Sequence, residues 1–236
     1  MAMLGMMPPI VINQAALAEF GRAWHDNGRR LTRTPPYSSG DLGRLIDQAV
    51  AHSLSHMLGD IPIVPPNSNS LTPAQPDCVE LGAVRIIGGV RPQNFDVGYR
   101  PDGVRIAFDS KTLNDSDSIG KNWQNMINDL ATEATTVHSR FPHALVAFIV
   151  LLPKPCLSGS RLAAITETLE RLGRREAIDG PAHMAEAISL VMWDPDTGTI
   201  DPDVPSPQSP LRLEQFSDQV QSAYVSRYKG LPPHTD

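Results

Sequence analysis

Residues 95–111 read FDVGYRPDGVRIAFDSK, two short segments joined by Arg100-Pro101-Asp102-Gly103. In both segments apolar residues alternate with small or charged ones, which is the period-two pattern of half-buried β-strands. Proline at the second and glycine at the fourth position of this linking tetrapeptide are typical of a type I turn. The stretch therefore predicts a β-hairpin with strands over residues 95–99 and 104–108.

The register of this hairpin follows from the burial of its apolar face. Pairing Tyr99 with Val104 across a four-residue loop sets apolar against apolar residues and puts Asp96 opposite Ala107. A competing register, with a bulge at Gly103, would set Asp96 against an apolar partner and scatter the charged residues. The first register is favoured because it keeps apolar and charged partners apart.

Three charged residues should converge on one face of the hairpin. Side chains alternate with period two, so Asp109 and Lys111 share the face of Ala107, and Asp96 lies across from it. Two nearby carboxylates repel each other unless a cation joins them, and Mg²⁺ favours such oxygen ligands together with waters. The metal would neutralise charge on a phosphate, and the Lys111 ammonium could act on the attacking water or the scissile phosphate.

Helices and strands are predicted on both sides of the hairpin. Apolar residues recur at helical spacing around residues 13–25, 39–57, 118–138, 162–172 and 210–228. Strand patterns cover residues 79–87, 144–152 and 187–193. The resulting order is helix, three strands, helix, strand, helix, strand, helix. This order predicts an α/β fold with a mixed β-sheet flanked by helices.

The length of 236 residues predicts one domain. Within it we expect a peripheral N-terminal helix and arm over residues 1–38, a core over 39–193 and a C-terminal helix over 209–229. Residues 62–76 contain five prolines and predict a loop. Cys78 and Cys156 are the only cysteines, so no disulfide framework is expected, which suits a reducing cytoplasm.

The charge balance and hydropathy limit the expected partners. The net charge of −6 argues against a protein that coats nucleic acid through a basic surface, but it allows a local groove. Candidate phosphate contacts are the arginines Arg29, Arg30 and Arg33, and a second group at residues 171–175. The start of the chain has no signal-peptide pattern, and the longest apolar run, 144–152, is well short of the ~20 residues that span a membrane. We expect no membrane association.

Asp96 followed by Asp109-Ser110-Lys111 at the end of the next strand resembles the PD-(D/E)xK nuclease superfamily, the restriction-endonuclease-like fold. The element order over residues 39–152 is similar to the αβββαβ core of that family, in which the second and third strands carry the acid pair. The resemblance implies that Asp96, Asp109 and the Ser110 backbone carbonyl bind Mg²⁺, for which Mn²⁺ can substitute. It also implies that Lys111 is the catalytic lysine.

The sequence departs from the family pattern before the first acid. Phe95 stands where the family has proline, and the literal Pro101-Asp102 pair falls in the turn, where its carboxylate points away from the site. Asp96 is therefore the preferred first acid.

Further site residues are implied by the resemblance without being fixed by a motif. Many family members carry an upstream acid, for which Glu80 on the first strand and Asp47 on the preceding helix are the candidates. Relatives also often use a polar residue of the helix after the acid pair, and Lys121 and Asn125 are the candidates for this supporting role.

The function implied by the resemblance is endonucleolytic cleavage of double-stranded DNA, most simply by a type II restriction enzyme acting as a homodimer. A repair, recombination or phage-defence nuclease of the same fold is an alternative with the same chemistry. A non-catalytic DNA-binding module is an alternative of another class. The intact acid pair and lysine argue against this last reading.

Overall fold

The computed structural model describes residues 4–67, 70–157 and 159–234; residues 1–3 of the N-terminal arm and residues 68 and 69 of the proline-rich loop are among those outside the described ranges. Its helices and strands follow one another as α1 (Gln14–Asp26), α2 (Ser39–Met57), β1 (Ile63–Val64), β2 (Val79–Ile87), β3 (Pro92–Tyr99), β4 (Ile106–Thr112), α3 (Ile119–His138), β5 (Leu145–Pro153), α4 (Gly159–Leu172), β6 (Ala187–Trp193) and α5 (Leu213–Tyr228). Apart from the two-residue β1, these are the predicted elements. In the described ranges no helix is long and apolar enough to cross a membrane.

The six strands form one mixed sheet in the order β1-β2-β3-β4-β5-β6. β2, β3 and β4 are antiparallel neighbours, whereas β4, β5 and β6 run parallel to one another. Every residue of β5 is buried, which matches a continuous apolar run of a strand covered on both faces. The expected α/β class, a mixed sheet flanked by helices, is confirmed.

Helices cover both faces of the sheet and create two apolar cores. Leu17, Ile46 and Phe216, from α1, α2 and α5, belong to the core on one face. Leu130 and Ile165, from α3 and α4, belong to the core on the other face. The sheet is thus a middle layer, and groups on its two faces meet different helices.

The register of the β3–β4 hairpin differs from the predicted one by two residues. Tyr99 pairs with Ile106 rather than with Val104, so the connecting loop spans residues 100–105. The four-residue turn is not used because both ends of the loop are buried: the Arg100 guanidinium binds Glu80, and Arg105 Nε donates to the Asp102 carboxylate at 2.7 Å. A shift of two leaves every β4 side chain on its predicted face but would set Asp96 against Asp109 rather than Ala107.

The alternation of β3 breaks at Asp96. Leu81 pairs with Val97 and Val84 pairs with Phe95, so Gly82 and Ala83 of β2 together face the single residue Asp96. This is the two-against-one count of a β-bulge. Phe95 and Val97, predicted on one face, consequently pack into opposite cores. Gly82 has φ +132°, a backbone conformation that glycine adopts without strain.

A buried ion cluster around Glu186 joins helices α3 and α5 and the segment after α4 to the sheet. Arg175 and Arg227 place Nη1 atoms 3.0 and 2.8 Å from Glu186 Oε1. The Val146 amide donates to Oε2 at 2.7 Å, and His138 Nε2 lies 3.2 Å from the same oxygen. Burial raises the pKa of Glu186, but the hydrogen bond and charge of His138, the Val146 amide and Arg227 outweigh it, and the net pKa is lowered.

The outer edge of β6 is covered by the loop that follows it. The Leu190 amide donates to the Leu211 carbonyl at 2.9 Å, and the Asp201 amide donates to the Met192 carbonyl at 2.7 Å. Trp193 also forms an isolated antiparallel bridge with Ile200. Main-chain groups along this edge therefore have partners within the chain.

We predict that Glu186→Gln destabilises the protein by about 3–5 kcal/mol at neutral pH, because it leaves two buried guanidinium groups without their carboxylate. Since the folded-state pKa of Glu186 is lowered, its contribution is present above the ordinary glutamate range of about 4.3 and is lost as the pH falls through the folded value. Denaturant unfolding between pH 3 and 7 should show the two proteins converging at low pH. The exposed Glu176→Gln is the control, and an equal loss in both variants would contradict the prediction.

Candidate active site

A cleft of about 640 Å³ opens beside the bulge, between the start of α2 and strands β2, β3 and β4. Its lining includes Gly82 of the bulge, Asp47 of α2, Asp96 of β3 and both Ser110 and Lys111 of β4. The bulge spreads the sheet at the point where regular β3–β4 pairing ends. Its local cause, Gly82 inside a strand, is a signal that the sequence carried.

The α2 helix brings Asp47 to the sheet. The helix starts at a capping box in which the Ser38 hydroxyl and the Asp41 carboxylate each accept the other residue's amide. One turn later, a Cβ on Gly43 would lie 3.2 Å from Ser110 Oγ, so glycine leaves room for the close approach of helix and strand. Asp47, on the following turn, is 4% exposed and lies in this interface.

Asp96 is held against β4 by Ser110. The Ser110 amide donates to Asp96 Oδ2 at 3.1 Å, and the Ser110 hydroxyl lies 3.4 Å from the same oxygen. Asp47 of α2 lines the cleft beside Ser110. Ser110 therefore ties Asp96 to β4 through its amide and hydroxyl, next to the acid supplied by α2.

Asp109 and Lys111 lie on the face of β4 that is covered by α3. Lys111 Nζ contacts Asp109 Oδ2 directly and lies 2.9 Å from Glu133 Oε1. Asp109 is 6% exposed, and the Lys111 side chain is 22% exposed and reaches the cleft. Asp109 also hydrogen-bonds Asp96. Asp96, Asp109 and Lys111 are thus brought together.

The acids of the site repel one another in a poorly solvated place. Burial, reinforced by the charge of Asp96, raises the pKa of Asp47 to about 8. Burial also raises the pKa of Asp109 well above its ordinary value, and the hydrogen bond that its protonated form donates to Asp96 adds to the effect. Burial lowers the pKa of Lys111, but the charges of Asp109 and Glu133 outweigh it and hold the pKa above its ordinary value. The ammonium group is therefore charged at neutral pH.

The site has more acidic than basic groups. Asp47, Asp96, Asp109 and Glu133 lie around the Lys111 ammonium, with Arg44 at the cleft beside Asp47, and two buried oxygens, Asp47 Oδ1 and Glu133 Oε2, have no hydrogen-bond partner among the described residues. Unpaired buried carboxylate oxygens are costly. The donor set is one of hard oxygens with excess negative charge, which fits a small divalent cation.

Across residues 4–67, 70–157 and 159–234, no group of three or more His, Cys, Asp or Glu side chains is arranged to hold a metal ion. Mg²⁺ is commonly bound by only one or two carboxylates, with waters and substrate oxygens completing its shell. The adjacent carboxyl groups of Asp96 and Asp109 and the backbone carbonyl between Asp109 and Lys111 fit that smaller requirement.

Several expected residues lie elsewhere. Both carboxylate oxygens of Glu80 accept from Arg100, at 2.6 and 2.8 Å, and the side chain is fully buried. Of the two candidate upstream acids, the cleft is lined by Asp47 and not by Glu80. Lys121 and Asn125 are exposed on α3 and do not line the cleft. The α3 residue that does contact the site is Glu133.

Sequence reasoning missed Glu133, although a signal for it was present. The residue falls between Leu130 and Val137 on the apolar stripe of α3 and is 3% exposed. A charged residue inside a buried stripe needs a partner. Glu133 lies on the side of α3 that faces the core, whereas Lys121 and Asn125 lie on its exposed side.

Residues 29–33, between α1 and α2, contain Arg29, Arg30 and Arg33 and are called the arginine loop. This loop borders a second cleft. Arg29 is occupied locally, with its guanidinium 5.2 Å from the Trp24 ring centroid. Arg30 and Arg33 are exposed and line a cleft of about 650 Å³ together with Asp115. This cleft shares Ser39 and Gly40 with the acidic one. The two clefts are therefore neighbours at the start of α2.

No family model, curated protein or solved structure matches this chain.

We predict that Asp47→Asn stabilises the metal-free protein, most strongly above pH 8. An acid whose folded pKa is raised binds a proton in the folded state, so stability falls as the pH rises from the ordinary aspartate range of about 3.9 to the folded value of about 8. The asparagine variant lacks this fall. Melting temperatures in chelator from pH 5 to 9 should diverge in favour of the variant, and curves that stay parallel would refute the assignment.

Proposed function

We propose that this protein is a Mg²⁺-dependent DNA endonuclease of the PD-(D/E)xK type. The observation that carries the proposal is the proximity of Asp96, Asp109 and Lys111: Asp96 and Lys111 line one cleft, Asp109 is buried against Lys111, and Asp96 is hydrogen-bonded to Ser110 between the other two. An acid from one strand and an acid and a lysine from the next are the elements of that motif.

The order of elements supports the same proposal. The run α2, β2, β3, β4, α3, β5 is a helix, three antiparallel strands, a helix and a parallel strand, which resembles the αβββαβ core of the superfamily. The two acids fall on the second and third strands of this run. Asp47, on the first helix and in the lining of the cleft, is the proposed upstream acid.

The residues divide the chemistry between them. Asp96, Asp109 and the Ser110 carbonyl would hold Mg²⁺, which when bound supplies positive charge to the scissile phosphate. The Lys111 ammonium, held at the cleft, stabilises negative charge that develops on the phosphate oxygens. Ser110 fixes Asp96 against β4, and burial keeps the acids in a place where charge interactions are strong.

The substrate proposed is double-stranded DNA, and the arginine loop is its proposed backbone contact. Arg30 and Arg33 are exposed and line a cleft that adjoins the acidic one at Ser39 and Gly40. A strand whose scissile phosphate sits near Lys111 could place a neighbouring phosphate against these guanidinium groups. Arg29 supports the loop through Trp24 instead.

A type II restriction enzyme acting as a homodimer is the specific form of nuclease we propose, since two sites related by a two-fold axis would cut both strands of a symmetric sequence. Sequencing of the cut ends separates this from a repair or defence nuclease. Discrete fragments with one common end sequence indicate a restriction enzyme, and scattered ends contradict it.

Cleavage of plasmid DNA tests the proposed activity. With Mg²⁺ the wild type should nick and linearise the plasmid, and Asp109→Asn and Lys111→Ala should each lower the rate by at least about 100-fold, because each removes a group that stabilises the reacting phosphate or its metal. Chelator should abolish cleavage.

The matched controls are Lys121→Ala and Asp129→Asn, which remove the same charges from exposed positions of α3. Both should cleave at the wild-type rate. Cleavage by Asp109→Asn or Lys111→Ala at the rate of these controls would end the nuclease proposal, as would Mg²⁺ and Mn²⁺ affinity unchanged in Asp96→Asn.

We predict that Arg30→Gln/Arg33→Gln weakens DNA binding uniformly across sequences. Removing two phosphate contacts should reduce the slope of log affinity against log salt concentration by about 2. Fluorescence anisotropy with a labelled duplex and Ca²⁺ in place of Mg²⁺ measures this without cleavage. Arg171→Gln/Arg174→Gln makes the same change in net charge at the second arginine group, and an equal effect there would contradict a specific role for the loop.

A further inference from the structure

Glu133 is a carboxylate buried within an apolar helix face. Met126, Leu130, Ala134 and Val137 of the same helix pack in the core between α3 and the sheet, and the Glu133 side chain is 4% exposed. A charged group in such a place lowers stability unless it is paired, and an apolar residue would pack there at no such cost. Its presence calls for a role that leucine could not fill.

The contacts of Glu133 differ from those of the two other buried glutamates. Glu80 and Glu186 each use both oxygens, in bonds to arginine or to the main chain. Glu133 uses one oxygen only: Oε1 lies 2.9 Å from Lys111 Nζ and 3.0 Å from Gln93 Nε2. Within the described ranges Oε2 has no partner. The two hydrogen bonds of Glu133 Oε1 are therefore to side chains and not to the main chain, and one of them is to the lysine of the candidate site.

Lys111 has two anionic neighbours, and they act differently. Asp109 belongs to the same strand two residues away, whereas Glu133 comes from a separate helix. A lysine side chain has four rotatable carbon–carbon bonds, so one partner leaves it many orientations. The second partner fixes the direction of the side chain and draws part of the ammonium's attraction away from Asp109. Gln93 of β3 in turn holds the Glu133 oxygen in place.

We propose that Glu133 is the positioning residue for Lys111, oriented by Gln93, and that it keeps the ammonium at the cleft while leaving Asp109 able to bind a cation. The assignment rests on the proposed nuclease function, because Lys111 is the group whose placement matters there. Glu133 itself does not line the cleft and reaches it only through Lys111.

Kinetics give the first test. Glu133→Ala should lower kcat for plasmid cleavage by roughly 10–100-fold, the usual effect of removing a group that orients a reacting one, while KM for DNA stays within about twofold. Glu133→Gln should recover part of the loss, since its amide oxygen still accepts from Lys111. The exposed Asp129→Ala on the same helix is the control. A kcat unchanged by Glu133→Ala, or a Glu133→Gln variant no better than the alanine, would overturn the proposal.

A spectroscopic readout tests positioning without any cleavage. The chain has four lysines, Lys111, Lys121, Lys154 and Lys229, so ¹⁵Nζ spectra are simple and Lys111→Arg assigns the signal. The Lys111 ammonium should be motionally restricted and slow to exchange in the wild type and in Asp129→Ala. Both properties should disappear in Glu133→Ala and weaken in Glu133→Gln. If the alanine variant does not fold, Glu133→Gln is compared with the wild type and Asp129→Ala instead.

The two proposals can fail separately. A wild type that does not cleave DNA, but whose Lys111 signal depends on Glu133, would refute the nuclease and retain the positioning role. A wild type that cleaves, with a Lys111 signal and kcat indifferent to Glu133→Ala, would refute the positioning role and retain the nuclease.

Discussion

Mutual repulsion among carboxyl groups gathered around one cleft is the constraint to which the rest of the structure responds. Four acids from four elements, α2, β3, β4 and α3, meet around the Lys111 ammonium. Lys111 and Ser110 pair with some of these groups, but the pKa values of Asp47 and Asp109 stay raised, so the two apolar cores on either side of the sheet must also supply energy that keeps the acids close. Sites that need such an arrangement are commonly less stable than their scaffold.

The buried acids fall into two kinds. Glu80 and Glu186 have guanidinium partners and use both carboxylate oxygens, as expected of acids that join segments of a fold. Asp47 and Glu133 each have an oxygen with no hydrogen-bond partner in the described part of the chain, and they lie beside the cleft or its lysine. Incomplete pairing therefore distinguishes Asp47 and Glu133 from the two glutamates that hold segments of the fold together.

Much of the architecture could be predicted from local pattern. The buried run of β5, the amphipathic α3 and the period-two segments of the hairpin each carry their own signal. The faces on which the β4 side chains lie were predicted correctly although the register was wrong, because a shift of two residues does not change faces. The register itself depended on long-range partners: Glu80 buries Arg100 and thereby lengthens the loop. No local pattern around the turn contains that information.

The site was predicted less completely for a related reason. The acids and the lysine on β3 and β4 could be placed by alternation, but the bulge that brings Asp96 to Ser110 involves a third strand, β2. The choice of Glu133 over Lys121 or Asn125 was decided by which side of α3 the sheet occupies. Both outcomes depend on contacts between elements, which spacing within one element does not fix.

The covered outer edge of β6 limits how copies of this protein can associate. Exposed strand edges are the usual route to continuous intermolecular sheets, because their main-chain groups are ready to bond another chain. At β6 these groups already bond residues 200–211 of the same chain. On that side of the molecule a second copy must therefore dock through helices and loops, and aggregation by strand addition is suppressed there.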